Sequence, residues 1–341
     1  MPEFEGQTAY LYIVDNETLT DSAVIHNGKF DFKGEAEEVM MGRIIATDSI
    51  GMTSCQGYLV IEPGKIYIDL VNDSLSGTPL NNEFYQAFNA DETTRQLQAQ
   101  VQELIARAGD TPQEEMQELA AEYNTLKAQL TDRGVELARN VYVNHPDNVL
   151  GAYALNRIVE YDGITFDSLD YLLKHASPAV ANYAPLRAAR TLLFHQDNTA
   201  EGKQYVDISG IDFANGRGTK LSNMIKPDEI TIIDFWASWC GPCRNEIAEY
   251  LIPLYKKYKD KGVNIIGVDI HDQLANHKAA VEQLGITYPQ LIDTTGSAAD
   301  SYAIQSIPQI LLIGHDGTIL YRNLRGTAIE EAIVNALKIE N

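Results

Sequence analysis

Cysteine, positive charge and long apolar runs are all scarce in this sequence. It has 3 cysteines among 341 residues, too few for a framework of structural disulfides. Lys and Arg number 26 against 48 Asp and Glu, and the net charge of −22 excludes a nucleic-acid partner and disfavours an anionic membrane surface. No apolar run reaches the ~18–20 residues of a membrane span. The longest, residues 229–239, is short and contains Asp234.

The first residues bear on the compartment. The start, MPEFE, has neither the basic residues nor the apolar stretch of a signal peptide. We therefore expect either a cytosolic protein or one whose leader has been removed from this chain.

Three segments are predicted along the chain, and the first covers residues 1–88. Short runs of β-branched and aromatic residues predict a β-sandwich or barrel-like antiparallel domain. Asn27-Gly28 is a strong signal for a tight hairpin inside a β-rich run over residues 23–32. The predicted strand regions are residues 8–14, 23–32, 43–47, 58–62 and 66–70.

The pattern becomes helical over residues 89–200. Two apolar stripes at helical spacing predict two helices that pack together: Leu97, Val101, Leu104, Ile105 and Ala108, then Met116, Leu119, Tyr123, Leu126 and Leu130. A third helix is expected over residues 149–161, with others on either side of Pro178. Such stripes serve helix packing, so we predict no catalytic residue in this segment.

Strands and helices alternate over residues 201–341, which predicts an α/β layer fold. Continuous apolar runs at 230–235 and 263–270 are typical of strands buried on both faces. The turn Asp316-Gly317 predicts a hairpin between strands at 309–313 and 318–321. Helices are predicted over residues 244–259, 275–284 and 328–339.

Two of the three cysteines, Cys240 and Cys243, lie where an apolar strand gives way to a helix. The thiolate is the species that attacks a disulfide, so the site must lower the pKa of one thiol. Unpaired N–H groups and the dipole at a helix start stabilise negative charge on Cys240. Cys243 follows one turn later on the same face, close enough to close a disulfide. Pro242 fits the first turn, where its missing N–H is not needed.

Other uses of a close cysteine pair fit less well. Structural zinc needs four ligands, but the third cysteine, Cys55, lies in another segment and no histidine pair at ligand spacing is near. Haem attachment needs histidine directly after the second cysteine, where this chain has Arg244. A structural disulfide would be strained in so short a loop. We predict a redox pair without metal or cofactor, and interpret Cys55 as a small buried side chain.

The residues around the pair resemble the thioredoxin superfamily. Residues 234–243, DFWASWCGPC, are similar to the thioredoxin active-site stretch, and Ile307-Pro308 resembles the cis-proline turn that faces it. Gly326, before the last helix, also fits. The resemblance implies a C-terminal thioredoxin fold over residues 201–341.

Two further stretches resemble a narrower group. Extra residues between 270 and 306, including YPQLID at 288–293, are similar to the insertion of TlpA-type proteins, the envelope reductases that serve cytochrome c maturation and related tasks. Residues 20–34, TDSAVIHNGKFDFKG, resemble the uncharacterised β domain that precedes such thioredoxin domains in Gram-negative envelope proteins. The resemblance implies a periplasmic or cell-envelope location.

The resemblance also assigns catalytic roles. Cys240 is the nucleophile and Cys243 the resolving thiol. Asp234 matches the buried acid that shuttles protons to the resolving cysteine, and burial should raise its pKa. Thioredoxins carry a lysine on the strand beside this acid, whereas residues 263–270 contain none. That departure affects the proton path and leaves the cysteine roles unchanged.

Substrate contacts are implied in the same way, for Trp239, Gly241, Pro242, Ile307 and Pro308. Trp239 would shield the nucleophile and contact substrate, whereas Trp236 is equally compatible with core packing. Pro308 in cis would leave the Ile307 backbone free to pair with an extended substrate.

The leading hypothesis is a reductase of protein disulfides that is reset by a thiol electron donor. The Gly-Pro dipeptide between the cysteines and the isoleucine before Pro308 match reducing members. The alternatives are an oxidase or isomerase on the same fold, or an envelope interaction protein with a secondary redox domain. A homodimer stays open. A peroxiredoxin-type peroxidase is disfavoured because Ala237 replaces the expected threonine.

Overall fold

The computed structural model describes residues 4–48, 54–109 and 112–339. The chain divides into two compact units, Met1–Arg190 and Thr191–Asn341. Within the described ranges, no helix is both long enough and apolar enough to cross a membrane.

The first unit begins with an antiparallel sheet, as predicted. Its strands are β1 (Thr8–Ile13), β2 (Thr18–Val24), β3 (Met40–Thr47) and β4 (Ser54–Ile61), in the order β2-β1-β3-β4. Alternate residues of β3, including Ile44 and Ala46, are buried, so one face of the sheet forms a core. A separate ribbon pairs β5 (Tyr67–Asp69) with β6 (Ser74–Ser76).

The β-rich run predicted over residues 23–32 is wrong beyond the turn. β2 ends at Val24, and residues 30–39 form no strand. The tight turn at Asn27-Gly28 is present, with φ of 52° and 69°, but a single bridge flanks it. The carboxylate of Glu5 accepts the N–H groups of Asn27 and Gly28 at 3.0 and 3.2 Å, so a side chain holds the turn.

Helices make up the rest of the first unit. They are α1 (Pro79–Phe84), α2 (Glu92–Ala108), α3 (Met116–Asn144), α4 (Val149–Tyr161), α5 (Phe166–His175), α6 (Pro178–Ala181) and α7 (Ala184–Asn198), with a π turn at Tyr85–Asn89. The boundary between the units, after Arg190, falls within α7. Val101 and Leu104 of α2 pack against Leu119 and Leu126 of α3, as the two stripes predict. Ile105 is a correction, because it is exposed on the side of α2 turned away from this cluster.

The second unit is built on a seven-stranded mixed sheet. Along the chain, its strands are β7 (Ser209–Asp212), β8 (Arg217–Lys220), β9 (Ile230–Trp236), β10 (Val263–Asp269), β11 (Gln290–Ile292), β12 (Gln309–Ile313) and β13 (Ile319–Tyr321). Across the sheet, their order is β13-β12-β9-β10-β11-β7-β8. β9 and β10 are parallel and buried at every residue, as their apolar runs predict.

Helices accompany this sheet in the predicted α/β order. They are α8 (Gly241–Glu246), α9 (Ile252–Tyr258), α10 (Leu274–Leu284), α11 (Ser297–Ser301) and α12 (Thr327–Ile339). A π turn at Ile247–Leu251 joins α8 to α9, and a 3-10 turn covers Leu221–Asn223. The predicted thioredoxin-like architecture is confirmed.

The two faces of this sheet have separate cores. On β9, Ile232 and Trp236 belong to the cluster that also contains Cys240 and Cys243. Phe235 belongs to the cluster on the opposite face. Since strand residues alternate between faces, Asp234 points to the face of the two cysteines.

Candidate active site

The two cysteines lie where β9 gives way to a helix. Cys240 occupies the N-cap position of α8 with extended backbone, and a disulfide joins it to Cys243 across a Cα–Cα distance of 5.3 Å. Pro242 lies in the first turn of α8, as expected. The sequence prediction for this junction differs only in the start of the helix, which begins at Gly241 instead of residue 244.

The sulfur of Cys240 faces one N–H group and one carbonyl oxygen. Its Sγ accepts the backbone N–H of Cys243 at 3.2 Å and lies 3.8 Å from the carbonyl oxygen of Ile307. Cys240 is 5% exposed and Cys243 is 0% exposed. Of the pair, only Cys240 therefore has any solvent-accessible surface.

The surface beside Cys240 is formed by residues that the sequence singles out. Trp239 is 62% exposed, and its Nε1 donates to the carbonyl of His271 at 3.1 Å. Gly241 and Pro242 are also exposed. Trp236 differs from Trp239, because its indole is buried and donates to Oε1 of Gln290 at 3.0 Å.

The Ile307–Pro308 peptide is cis, as predicted. Ile307 is half-buried and packs against the hydrophobic clusters of both sheet faces, while Pro308 is buried. The carbonyl of Pro308 accepts a hydrogen bond from the guanidinium of Arg325. The structure thus brings the Ile307 backbone next to Cys240.

Asp234 is buried on β9 with neither carboxylate oxygen hydrogen-bonded within the described part of the chain. Burial raises the pKa of Asp234 to about 8, because a carboxylate loses its hydration away from water. The positive charge of Arg325 lowers this pKa, and the negative charge of Glu246 raises it. Asp234 therefore ionises at a higher pH than an exposed aspartate.

The structure shows what occupies the space beside Asp234 where thioredoxins have a lysine. The β10 residue in register with Asp234 is Gly267, and a Cβ there would lie 2.3 Å from Oε1 of Gln290. The Gln290 side chain thus fills the space that a side chain on β10 would need. The positive charge that acts on Asp234 belongs instead to Arg325, which follows β13 in the chain.

Three neighbours of Asp234 were not identified from the sequence. Glu246, at the end of α8, accepts the N–H of Gly326, and Arg325 also donates to the carbonyl of Leu324 at 2.7 Å. Burial raises the pKa of Tyr288 well above its usual range, and the charge of Asp234 adds to this effect. Glu246 could have been identified from the sequence, because it lies three residues after Cys243 and therefore on the same helix face.

Comparisons with known families match both ends of the chain. Residues 202–322 match the model of the AhpC/TSA family. Residues 3–84 match a domain of unknown function, DUF4369, which confirms the expected uncharacterised domain ahead of the thioredoxin-like one.

Individual relatives match the C-terminal part. The thiol:disulfide interchange protein CycY of Rhizobium leguminosarum is 32% identical over 155 residues, which are 42% of this chain and 81% of CycY. The thiol-disulfide oxidoreductase ResA of Bacillus thuringiensis is 34% identical over 106 residues, 31% of this chain, and the match spans 60% of ResA. The solved thioredoxin domain of a thiol-disulfide oxidoreductase from Bacteroides vulgatus is 29% identical, with a TM-score of 0.36, over 41% of this chain and 97% of that one. The extent of the CycY match shows that this chain belongs to the thioredoxin-like thiol–disulfide oxidoreductases.

Proposed function

We propose that this protein reduces disulfide bonds of protein substrates through Cys240 and Cys243. The observation that carries the proposal is the placement of the pair at the start of α8, with Cys243 fully buried and only Cys240 retaining a small accessible surface. Such a placement leaves one sulfur to attack the substrate disulfide and the other to resolve the mixed disulfide.

In the first step, the Cys240 thiolate attacks one sulfur of the substrate disulfide. A bond forms between Cys240 and that sulfur, the substrate disulfide breaks, and the departing thiolate takes a proton from water. The N–H of Cys243, 3.2 Å from the Cys240 sulfur, and the helix start stabilise the attacking thiolate.

In the second step, Cys243 loses its proton and attacks the Cys240 sulfur. The mixed disulfide breaks, the second substrate thiolate leaves and is protonated, and the Cys240–Cys243 disulfide forms. Asp234 accepts the Cys243 proton in its ionised form and then releases it to solvent, because its pKa of about 8 is close to the usual thiol value of about 8.5. The substrate gains two electrons from the two cysteines and two protons from solvent, and the dithiol gives up two electrons and two protons as its disulfide closes.

The substrate chain binds along the Ile307 backbone in extended form. Pro308 and Ile307 hold this edge beside Cys240, where the Ile307 carbonyl lies 3.8 Å from the sulfur. Trp239, Gly241 and Pro242 supply the exposed surface on the other side. Recognition through the main chain suits an enzyme that accepts more than one protein substrate.

The environment of Cys240 favours reduction over oxidation. Besides the helix start, one N–H donates to the Cys240 sulfur, and the carbonyl oxygen of Ile307, which can give a thiolate no hydrogen bond, faces it. Strong oxidants depend on a strongly stabilised thiolate. We therefore place the reduction potential nearer to about −270 mV than to about −120 mV.

The cellular setting in this proposal comes from the resemblance to TlpA-type proteins. We propose a location in the periplasm or cell envelope, and a role in cytochrome c maturation or a related reduction. A thiol electron donor regenerates the reduced enzyme, since the second step leaves Cys240 and Cys243 oxidised. Homodimer formation stays a prediction.

Insulin reduction by dithiothreitol tests the activity, and equilibration with a redox buffer gives the potential. We expect the full chain to accelerate insulin reduction and Cys240→Ser to abolish the effect, with Cys55→Ser as the matched control that retains it. Cys243→Ser should accumulate a mixed disulfide with substrate. A potential near about −120 mV would assign the enzyme as an oxidase instead. Equal turnover by Cys240→Ser would refute the proposed chemistry.

A further inference from the structure

A second cluster of titratable side chains lies at the end of β10, outside the machinery described above. Asp269 ends that strand, Asp272 follows in the loop, and His277 lies in the first turns of α10. One donor atom of each residue lies within 4.8 Å of the others. Asp269 is 1% exposed and His277 is 0% exposed, whereas Asp272 is half-buried.

Within the residues that the structure describes, three buried polar atoms of this cluster lack hydrogen bonds, whereas both carboxylate oxygens of Asp272 accept backbone N–H groups, from Ser238 at 2.6 Å and from Gln273 at 2.7 Å. Neither ring nitrogen of His277 nor Oδ1 of Asp269 has a hydrogen-bond partner among the described residues. The rings of Trp236 and Phe213 flank the imidazole, with centroids 4.9 and 5.3 Å away. Each buried polar group without a partner costs about 1–3 kcal/mol, so this arrangement points to a missing ligand.

The charges of the cluster have the sign that a cation requires. The carboxyl groups of Asp269 and Asp272 lie beside a single imidazole, that of His277. A divalent ion would neutralise Asp269 and Asp272 together.

The distance between His277 and Asp269 suits an ion pair and also two ligands of one metal ion. Nδ1 of His277 and Oδ2 of Asp269 are 3.4 Å apart, longer than the usual 2.7–3.2 Å (approximately) of a hydrogen bond. Ligands at about 2.0–2.1 Å from a tetrahedral zinc ion are about 3.3–3.4 Å from each other. A neutral imidazole with two carboxylates is also a ligand set that zinc and other divalent transition metals accept.

We propose that Asp269, Asp272 and His277 bind one divalent transition-metal ion, with zinc as the ion that fits best and water as the fourth ligand. No metal was predicted from the sequence, because the spacing of these three residues matches no familiar motif. The inference concerns a separate site and does not depend on the proposed function.

The metal would stabilise the loop that supports the active site. Oδ2 of Asp272 accepts the N–H of Ser238 at 2.6 Å, two residues before Cys240. The carbonyl of His271 accepts the indole N–H of Trp239. An ion bound between Asp269 and Asp272 would therefore fix the position of Trp239 beside the nucleophile.

Zinc binding is tested on the full chain with the Cys240–Cys243 disulfide closed and with Cys55→Ser, so that no thiol competes for the metal. Competition with a chromophoric chelator should give one high-affinity site per chain. His277→Asn should weaken binding by at least about 100-fold, since losing a ligand costs more than losing a supporting contact. The matched control is His271→Asn, an exposed histidine at φ 55°, where asparagine is tolerated.

Asp272→Asn keeps the test decisive if His277→Asn does not fold. An amide oxygen can still accept the N–H of Ser238, so this variant should fold while binding zinc more weakly. In addition, Co²⁺ should give tetrahedral d–d absorption bands in the oxidised protein, and Asp272→Asn should lose them. Absence of zinc binding by the parent chain, or equal affinities of His271→Asn and Asp272→Asn, would overturn the proposal.

Discussion

Gly267 lies in register beside Asp234 on the neighbouring strand, and the side chain of Gln290 fills the space above it. This relationship explains how the chain departs from thioredoxins beside the buried acid. Gln290 also accepts the indole N–H of the buried Trp236, so the glycine, the glutamine and the tryptophan form one packed unit. The charge that acts on Asp234 then comes from Arg325.

Gly267→Ala should lower the free energy of unfolding by about 1–3 kcal/mol, because the new methyl group would overlap Gln290. Gly218→Ala on β8 is the matched control, since no atom lies within 4 Å of a Cβ there. Urea unfolding followed by circular dichroism measures both variants. The penalty should shrink in a Gln290→Ala background, and equal stabilities of the two alanine variants would contradict the packing argument.

Asp234→Asn should remove a pH dependence of stability. The folded chain keeps the Asp234 proton up to a pKa of about 8, whereas the unfolded chain loses it near 3.8. Between these values the unfolded state binds one proton fewer, so the stabilisation present at low pH is lost as the pH rises. Relative to Asp234→Asn, the wild-type free energy of unfolding should fall by about 1.4 kcal/mol per pH unit in this window. Parallel pH profiles in urea unfolding would show that Asp234 ionises normally.

Arg325→Gln should raise the pKa of Asp234 further, because it removes the positive charge that opposes the burial effect. Carbon NMR of labelled aspartate reports this titration, and the rate of mixed-disulfide resolution should shift to higher pH with it. Arg217→Gln, an exposed arginine on β8, serves as the control. An unchanged titration in Arg325→Gln would remove Arg325 from the proton path.

Limiting iodoacetamide should alkylate Cys240 of the reduced protein first, at least about tenfold faster than Cys243. Cys240 reaches the surface and lies at the helix start, whereas Cys243 is enclosed. Cys55 is half-buried, and its thiol donates to the carbonyl of Leu70 at 3.1 Å. Peptide mass mapping separates the three sites. Preferential labelling of Cys243 would reverse the assigned roles.

The sequence predicts that the C-terminal domain starts at residue 201, whereas the second structural unit starts at residue 191, and two fragments can distinguish these boundaries. The guanidinium of Arg322 donates to the carbonyl and hydroxyl oxygens of buried Thr199. We expect a fragment of residues 191–341 to fold and to reduce insulin like the full chain. A fragment of residues 201–341 should be less stable by about 1–3 kcal/mol, because Arg322 loses these acceptors. Equal melting curves would favour the boundary at 201, and an inactive 191–341 fragment would mean that the first unit completes the site.

Local features of the sequence were sufficient for the buried strands β9 and β10, the Asp-Gly hairpin and the cysteine pair, because these depend on neighbours in the chain. They were not sufficient for β2, β7 and β8. The β-rich run over residues 23–32 was wrong beyond its turn, which a residue outside the run, Glu5, holds through two hydrogen bonds. Glu246, Arg325 and Gln290 meet Asp234 or its neighbours only through the tertiary fold, which periodicity does not encode. Family resemblance supplied the cis peptide at Pro308.

The chain has two tryptophans, and the fold gives them opposite surroundings. Trp236 is buried in the core, whereas Trp239 is exposed and directly precedes Cys240. Fluorescence from Trp239 should therefore respond to closing and opening of the neighbouring disulfide, and emission from Trp236 should change when the core melts. The protein thus contains two optical reporters, one for its oxidation state and one for its folding, and neither requires a label.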